Sequence, residues 1–250
     1  MAQSCRKDTT FVGPHVGKPV VLRMDLKDFF HNVPMARISA LFRRLGYPWR
    51  VAHLLRGICS HATSASLAGA TYGALPWEAR KRLAGKHLPQ GAPTSPAIAN
   101  LCAWHLDCRL QGVAERFDLD YTRYADDLVF SGSRELLRLA PFLQGLVGAI
   151  ALEEGFEINH RKTRVQSQAQ AQRLAGVVVN EKTNPPRKEF ERLKAILHNC
   201  ARHGPATQNR EGMNDFKAHL AGKIAYVEWL NPAKGARLRR LWERIQWSET

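Results

Sequence analysis

Leu119-Asp120-Tyr121-Thr122-Arg123-Tyr124-Ala125-Asp126-Asp127-Leu128-Val129-Phe130 decides how this chain is read. Leu119 to Arg123 and Leu128 to Phe130 are rich in the aliphatic, aromatic and β-branched side chains that suit strands, and Tyr124 to Asp127 forms the turn between them. Two adjacent carboxylates at the tip of a hairpin repel one another, and nothing in the turn itself requires both. A bound cation removes that repulsion, and hard carboxylate oxygens suit Mg²⁺ or Mn²⁺. A solvated, Asp-rich turn is the ordinary alternative, so the pair needs support from elsewhere in the chain.

Support comes from upstream. Val20 to Asp25 is a short apolar run that predicts a buried strand. It ends in Asp25 and continues as Leu26-Lys27-Asp28-Phe29-Phe30. A carboxylate closing a buried strand needs a partner; a helix cap or a salt bridge to lysine would serve, and so would a metal. Asp25, Asp126 and Asp127 on the ends of adjacent strands would hold two ions about 4 Å apart, one activating a 3′-hydroxyl and one holding a triphosphate. A third element is Leu88-Pro89-Gln90-Gly91-Ala92-Pro93-Thr94-Ser95-Pro96. Its glycine permits close backbone approach to a ligand, and the helix that follows offers N–H groups to phosphate. The plainer alternative is a proline-rich turn before a capped helix.

Working outward, residues 1–18 read as a loop around Gly13, Pro14 and Gly17. Pro34 stands where a first helical residue belongs, and Met35, Ile38, Leu41, Phe42 and Leu45 follow at helical spacing. Trp49 to Cys59 reads as a second helix. Residues 60–88, rich in Ala, Gly, Ser and Thr and ending in Arg80, Lys81, Arg82 and Lys86, read as a long surface insertion. A helix capped by Thr94 or Ser95 presents Ile98, Cys102, Leu106, Leu110 and Val113. Beyond the hairpin come a helix over 134–154, then strands near 156–159, 164–166 and 174–179. Pro185-Pro186 is a break, after which 187–203, 213–230 and 233–247 read as helix. The expected fold class is α+β, with an α+β domain over residues 1–180 and a basic helical domain over 181–250.

The chain has 250 residues, 44% of them hydrophobic, enough for a substantial core. Its formal net charge is +15, which favours a polyanionic partner because each Lys or Arg that meets a phosphate releases counterions. The five cysteines, Cys5, Cys59, Cys102, Cys108 and Cys200, include no CxxC pair. No zinc site or disulfide framework is expected. Neither a signal peptide nor an apolar run of about 18 residues is evident, so a soluble cytoplasmic protein without a membrane partner is expected.

An Asp-x-x-Asp-Phe-Phe strand end, a Leu-Pro-Gln-Gly-x-Pro-x-Ser-Pro turn and a Tyr-Ala-Asp-Asp hairpin, in that order, resemble the bacterial reverse transcriptases. The retron type and the related group II intron enzymes are the nearest in pattern. Gly155-Phe156-Glu157-Ile158-Asn159-His160-Arg161-Lys162-Thr163 and Leu174-Ala175-Gly176-Val177-Val178-Val179-Asn180 resemble later motifs of the family. Leu220-Ala221-Gly222-Lys223-Ile224 and Asn231-Pro232-Ala233-Lys234-Gly235 are similar to its C-terminal thumb. The resemblance covers nearly all of residues 11–247. It implies a polymerase palm followed by a helical thumb, and RNA-directed DNA synthesis from dNTPs on a primer–template.

By position, the resemblance makes Asp25, Asp126 and Asp127 ligands of two Mg²⁺ ions, with Mn²⁺ the substitute. The backbone of Leu26, Lys27, Asp28 and Phe29 lines the triphosphate site, and Phe30 stands under the sugar as a gate against a 2′-OH. Phe30 could equally be core. Gln90 and Gly91 meet the incoming nucleotide and template. Lys162 neutralises or protonates the leaving pyrophosphate, its alternative being a solvated basic face beside Arg161 and Arg164. Tyr124, Gly176 and Lys223 meet nucleic acid. Stand-alone bacterial enzymes of this type often belong to retrons or other antiphage systems, where the resemblance would imply a structured non-coding RNA and an effector protein as partners. A non-catalytic, polymerase-like RNA-binding module and an intron maturase are the competing readings.

The sequence also departs from the family. Phe11-Val12-Gly13-Pro14-His15 keeps only the histidine of the Asn-Ala-x-x-His often found there, and Leu-Ala-Gly stands where Val-Thr-Gly is usual. Family members carry a basic fingers segment ahead of the first catalytic strand. Here about two dozen residues precede Asp25, and ahead of Val20 the only basic candidates are Arg6, Lys7 and Lys18. An abbreviated fingers segment and weak handling of the triphosphate are therefore expected.

Overall fold

The computed structural model describes residues 7–62 and 73–247. They form two compact units, one built on Val20–Val165 and the other on Asp8–Pro19 together with the chain from Gln166 onward. The organisation is α+β, as expected: an antiparallel sheet packed with helices, then a run of helices.

The first unit is organised by β1 (Val20–Lys27), whose apolar residues are buried almost without interruption. Such continuity marks a central strand covered on both faces. β1 lies between β3 (Asp127–Gly132) and β4 (Glu157–Ile158), β2 (Asp120–Tyr124) lies outside β3, and β5 (Arg164–Ser167) also pairs with β1. The β1–β3 register runs from Val20 opposite Gly132 to Asp25 opposite Asp127. Leu22, Met24, Leu128 and Phe130 are wholly buried in this pairing and fix it, because a slip by one residue would turn them to the other face.

Helices α2 (Met35–Arg44) and α3 (Trp49–Cys59) form where the apolar spacing predicts them. Pro34 caps α2 and is not its first turn. The long insertion expected over 60–88 is partly structured. α4 (Trp77–Ala84) lies within it, and reciprocal backbone bonds between His61 and His87 (3.0 and 2.9 Å) close its base. The imidazole of His87 stacks edge-on against His31 and His61. Residues 63–72 of this stretch lie outside the described residues.

The single helix expected after Ser95 is two, α5 (Ser95–Cys102) and α6 (Trp104–Arg116), jointed at Ala103. Neither Thr94 nor Ser95 caps α5 with its side chain. Ser95 Oγ instead donates back to the Pro89 carbonyl (2.6 Å), tying the preceding turn to the helix. α7 (Leu136–Glu153), with mean hydropathy 1.4, is long and apolar enough by length and composition to cross a membrane. Leu136, Leu143, Val147 and Ile150 of α7 are core residues of the unit.

In the second unit, α1 (Lys7–Val12) and a 3₁₀ turn (Gly13–His15) replace the expected N-terminal loop. The strand expected at 174–179 is a hairpin, β6 (Arg173–Leu174) and β7 (Val177–Val178). Ala175 and Gly176 turn it with φ +46° and +85°, the left-handed pair that a two-residue hairpin needs. Buried Gln172 clips the region together, its Nε2 donating to the carbonyls of Lys18, Pro19 and Gln166.

Three helices follow: α8 (Arg187–His203), α9 (Phe216–Leu230) and α10 (Pro232–Trp242). α9 starts later than expected because Asp215 accepts from the Ala218 N–H as its cap. α10 stops at Trp242, although Trp247 returns to stack on that ring at 4.6 Å. Asn231 ends α9 and caps α10 through the Lys234 N–H. At Gly235 the two helices come so close that a Cβ would lie 2.4 Å from the Cα of Glu228. Cys59, Cys102, Cys108 and Cys200 are free; Cys5 lies outside the described residues.

Candidate active site

Residues directly opposite on antiparallel strands point to the same face. The pairing of Asp25 with Asp127 therefore sets two carboxylates side by side at the end of the sheet. Asp126 stands in the two-residue turn between β2 and β3, closed by Tyr124 opposite Asp127. The Leu26 N–H donates to the Asp126 carbonyl (2.8 Å), which ties that turn to β1.

The turn is strained. Ala125 has φ +52°, a left-handed conformation costing a residue with a Cβ roughly 1–2 kcal/mol. A buried arginine holds it there. Arg123 donates from Nε and Nη2 to the two oxygens of Asp107 (2.7 and 2.6 Å). Its Nη1 donates to the Ala125 carbonyl and to Asn100 Oδ1, both at 2.9 Å. The guanidinium lies 5.4 Å from the centre of the Phe29 ring and its side chain is only 6% exposed. One residue thus joins α5, α6, the turn and the segment after β1. Tyr121 adds an O–H donated to Asp107 (3.0 Å). Burial first, then the charge of Asp107, raises its phenol well above the usual range, so it stays a donor.

Arg123 was not singled out in the sequence. The available signal was a charged residue inside a β-rich run, paired with an acid on the polar side of a helix 16 residues earlier. Arg23 was missed in the same way, inside the apolar run of β1. It grips Asp127 as a fork, Nη2 reaching Oδ1 at 2.7 Å and Oδ2 at 2.9 Å, with Nε also on Oδ1 at 2.9 Å.

Asp25 is buried at 4% exposure, and its Oδ2 accepts from Lys162 Nζ (3.1 Å). Lys162 sits on a 3₁₀ turn (His160–Lys162) just after β4. Its hydrogen bond to Asp25, then the charge of Asp25, raises its pKa. The carboxyl of Asp126 is raised, first by burial and then by the charges of Asp127 and Asp25, against its own backbone amide and Lys162.

This donor set, three carboxylates gathered at one end of the sheet, fits a hard divalent cation. Yet two of the three already carry internal cations. Among the described residues, no three acidic, histidine or cysteine side chains stand as a group able to hold a metal as they are.

The remaining predicted positions fall out unevenly. Leu26 is core, with its N–H committed to Asp126. Lys27 pairs with Glu157 (3.1 Å) and Asp28, at φ +49°, with Arg82 (3.2 Å). Phe29 is buried and stacks on Phe156. Phe30 is half-buried, edge-on to Phe29 at 5.4 Å. Gln90 and Gly91 are exposed on the loop before α5, where Gly91 has φ +91°. Tyr124 closes the turn. In the second unit, Gly176 is exposed at the tip of the β6–β7 turn, and Lys223 is exposed on α9. Lys223 lines a groove of about 410 Å³ together with Arg192, Phe190 and Tyr226.

Residues 2–187 match the family described as reverse transcriptase (RNA-dependent DNA polymerase). Among curated proteins, the chain is 41% identical over 244 residues to the retron Mx65 reverse transcriptase of Myxococcus xanthus, covering 94% of this chain and 52% of that protein. It is 36% identical to the retron Mx162 reverse transcriptase of the same organism, covering 88% and 46%. With the retron Ec86 reverse transcriptase of Escherichia coli it shares 32% identity, covering 89% and 64%. The chain spans about half the length of the first two of these relatives. The match to the family covers most of the chain and takes in all three carboxylates, so this chain belongs to the reverse transcriptase family.

Proposed function

We propose that this chain carries out RNA-directed DNA synthesis by template-directed nucleotidyl transfer. The primer 3′-hydroxyl gives up its proton to water, its oxygen bonds to the α-phosphorus of a dNTP, the bond from that phosphorus to the bridging oxygen breaks, and pyrophosphate leaves. The observation that supports this most is the β1–β3 register, which sets Asp25 opposite Asp127 beside the Asp126 turn.

Asp25, Asp126 and Asp127 would hold Mg²⁺, or Mn²⁺ in its place; bound there, two such ions supply charge neutralisation and an activated 3′-oxygen. Lys162 brings a fixed positive charge to the same end of the sheet, suited to a leaving pyrophosphate. Phe30 would act under the sugar, and Gln90 with Gly91 at the nascent base pair. Lys27, at the end of β1, and Asp28, just after it, would border the triphosphate site. Residues 1–180 would act as the palm, and residues 181–250 as the thumb. There, contacts from Lys188, Arg192 and Lys223 to phosphate would give affinity without sequence information. The retron names of its relatives support a retron role in the bacterial cytoplasm, with a structured non-coding RNA and an effector protein as partners and a contribution to antiphage defence.

The test is extension of a DNA primer on an RNA template with Mg²⁺ and dNTPs. The parent chain should extend the primer and Asp126→Asn should not, while both bind the duplex. Extension by Asp126→Asn at the parent rate would remove the carboxylates from the mechanism.

A further inference from the structure

We propose that Arg23 is a positioning residue that competes with divalent metal for Asp127 and so sets how much metal the site needs; this rests on the metal reading of the three carboxylates. Arg23 precedes Asp25 by two residues on β1, so both point to the same face. Its register partner is Val129, which makes Asp127 its diagonal neighbour on that face. From there it covers both oxygens of Asp127 with three donated bonds at 2.7 to 2.9 Å. A guanidinium stays protonated at any working pH, and its planar fork matches a carboxylate. A metal reaching for Asp127 therefore meets oxygens whose hydrogen bonds must first be given up.

The pair is not needed to hold the sheet. The register is already fixed by the buried residues of β1 and β3. Arg23 is 37% exposed and Asp127 16% exposed, so the pair is part-buried, with its arginine still open to water that screens the attraction. Its main consequence is for charge. Arg23 and Lys162 offset two of the three carboxylate charges, and without Arg23 only one is offset.

Mn²⁺ binding, followed by the loss of the free-ion electron paramagnetic resonance signal, tests this without reference to turnover. Arg23→Gln should bind Mn²⁺ about tenfold more tightly than the parent, the order of magnitude expected when one nearby positive charge is removed from beside a divalent ion. Arg23→Lys keeps the charge but cannot form the fork, and should fall between the two. The Mg²⁺ concentration that half-saturates primer extension should move the same way. Far-ultraviolet circular dichroism and thermal unfolding check that the variants fold. If Asp126→Asn abolishes Mn²⁺ binding but Arg23→Gln leaves it unchanged or weaker, the inference about Arg23 falls and the metal site stands. If neither the parent nor Arg23→Gln binds Mn²⁺, the metal reading itself fails and takes this inference with it.

Discussion

Consider Arg123→Ala. The substitution removes two charge-assisted bonds to Asp107, one bond to Asn100, one to the Ala125 carbonyl, and the contact with Phe29. Breaking a buried ion pair by deleting one partner costs about 3–5 kcal/mol. Asp107 is 29% exposed and keeps the hydroxyl of Tyr121, so the low end, about 3 kcal/mol, applies. In a chain of this size that corresponds to a fall in Tm of about 6–12 °C, measurable by circular dichroism. The double variant Asp107→Leu/Arg123→Leu should recover most of the loss, because no buried charge is left unpaired. Primer extension should be measured at a temperature where parent and Arg123→Ala are both folded. It should fall as well, since the Ala125 carbonyl then loses its guanidinium donor and the turn that places Asp126 is held less firmly, by its backbone bond to Leu26 and the Tyr124–Asp127 pairing. A Tm within about 2 °C of the parent and undiminished extension would refute the view of Arg123 as the strut of this site.

Burial and the neighbouring charges raise the Asp126 carboxyl, so the stability it lends is full in acid and lost as pH rises through its folded pKa. Asp126→Asn should therefore unfold at a higher temperature than the parent near neutral pH, with the gap closing toward pH of about 4; equal Tm values at neutral pH would contradict this. Phe30→Val should lower the dNTP-to-rNTP ratio of kcat/KM, and an unchanged ratio in a folded, active variant would return Phe30 to packing alone. Gly235→Ala places a methyl 2.4 Å from Glu228 Cα and should cost about 1–3 kcal/mol in urea unfolding; a parental midpoint would mean the helices can part.

The elements legible from sequence were those whose burial imposes a period. β1, the 119–130 hairpin, α2, α3 and α8 all announce themselves through apolar spacing, and the Asp126–Asp127 pair stands out because two like charges share one turn. What was hidden depends on single residues in unusual conformations or on distant partners. Ala175 at positive φ carries no compositional signal, so an apolar run that folds back on itself read as one strand. Gly13 and Pro14 obscured α1, and the Ala- and Gly-rich stretch before it obscured α4. Ser95 looks like a cap but bonds backwards to Pro89. The roles of Arg23 and Arg123 were unreadable for a different reason. Their partners lie 104 and 16 residues away, and only the sheet register and the seating of α6 bring them together.

The contact at Gly235 has a mechanical meaning. With the backbones of α9 and α10 in van der Waals contact there, Asn231 capping one helix as it ends the other, and Arg239 bonded to Glu228 across the pair (2.9 Å), the elbow is a joint without play. A change in the tilt of one helix would therefore carry the other with it.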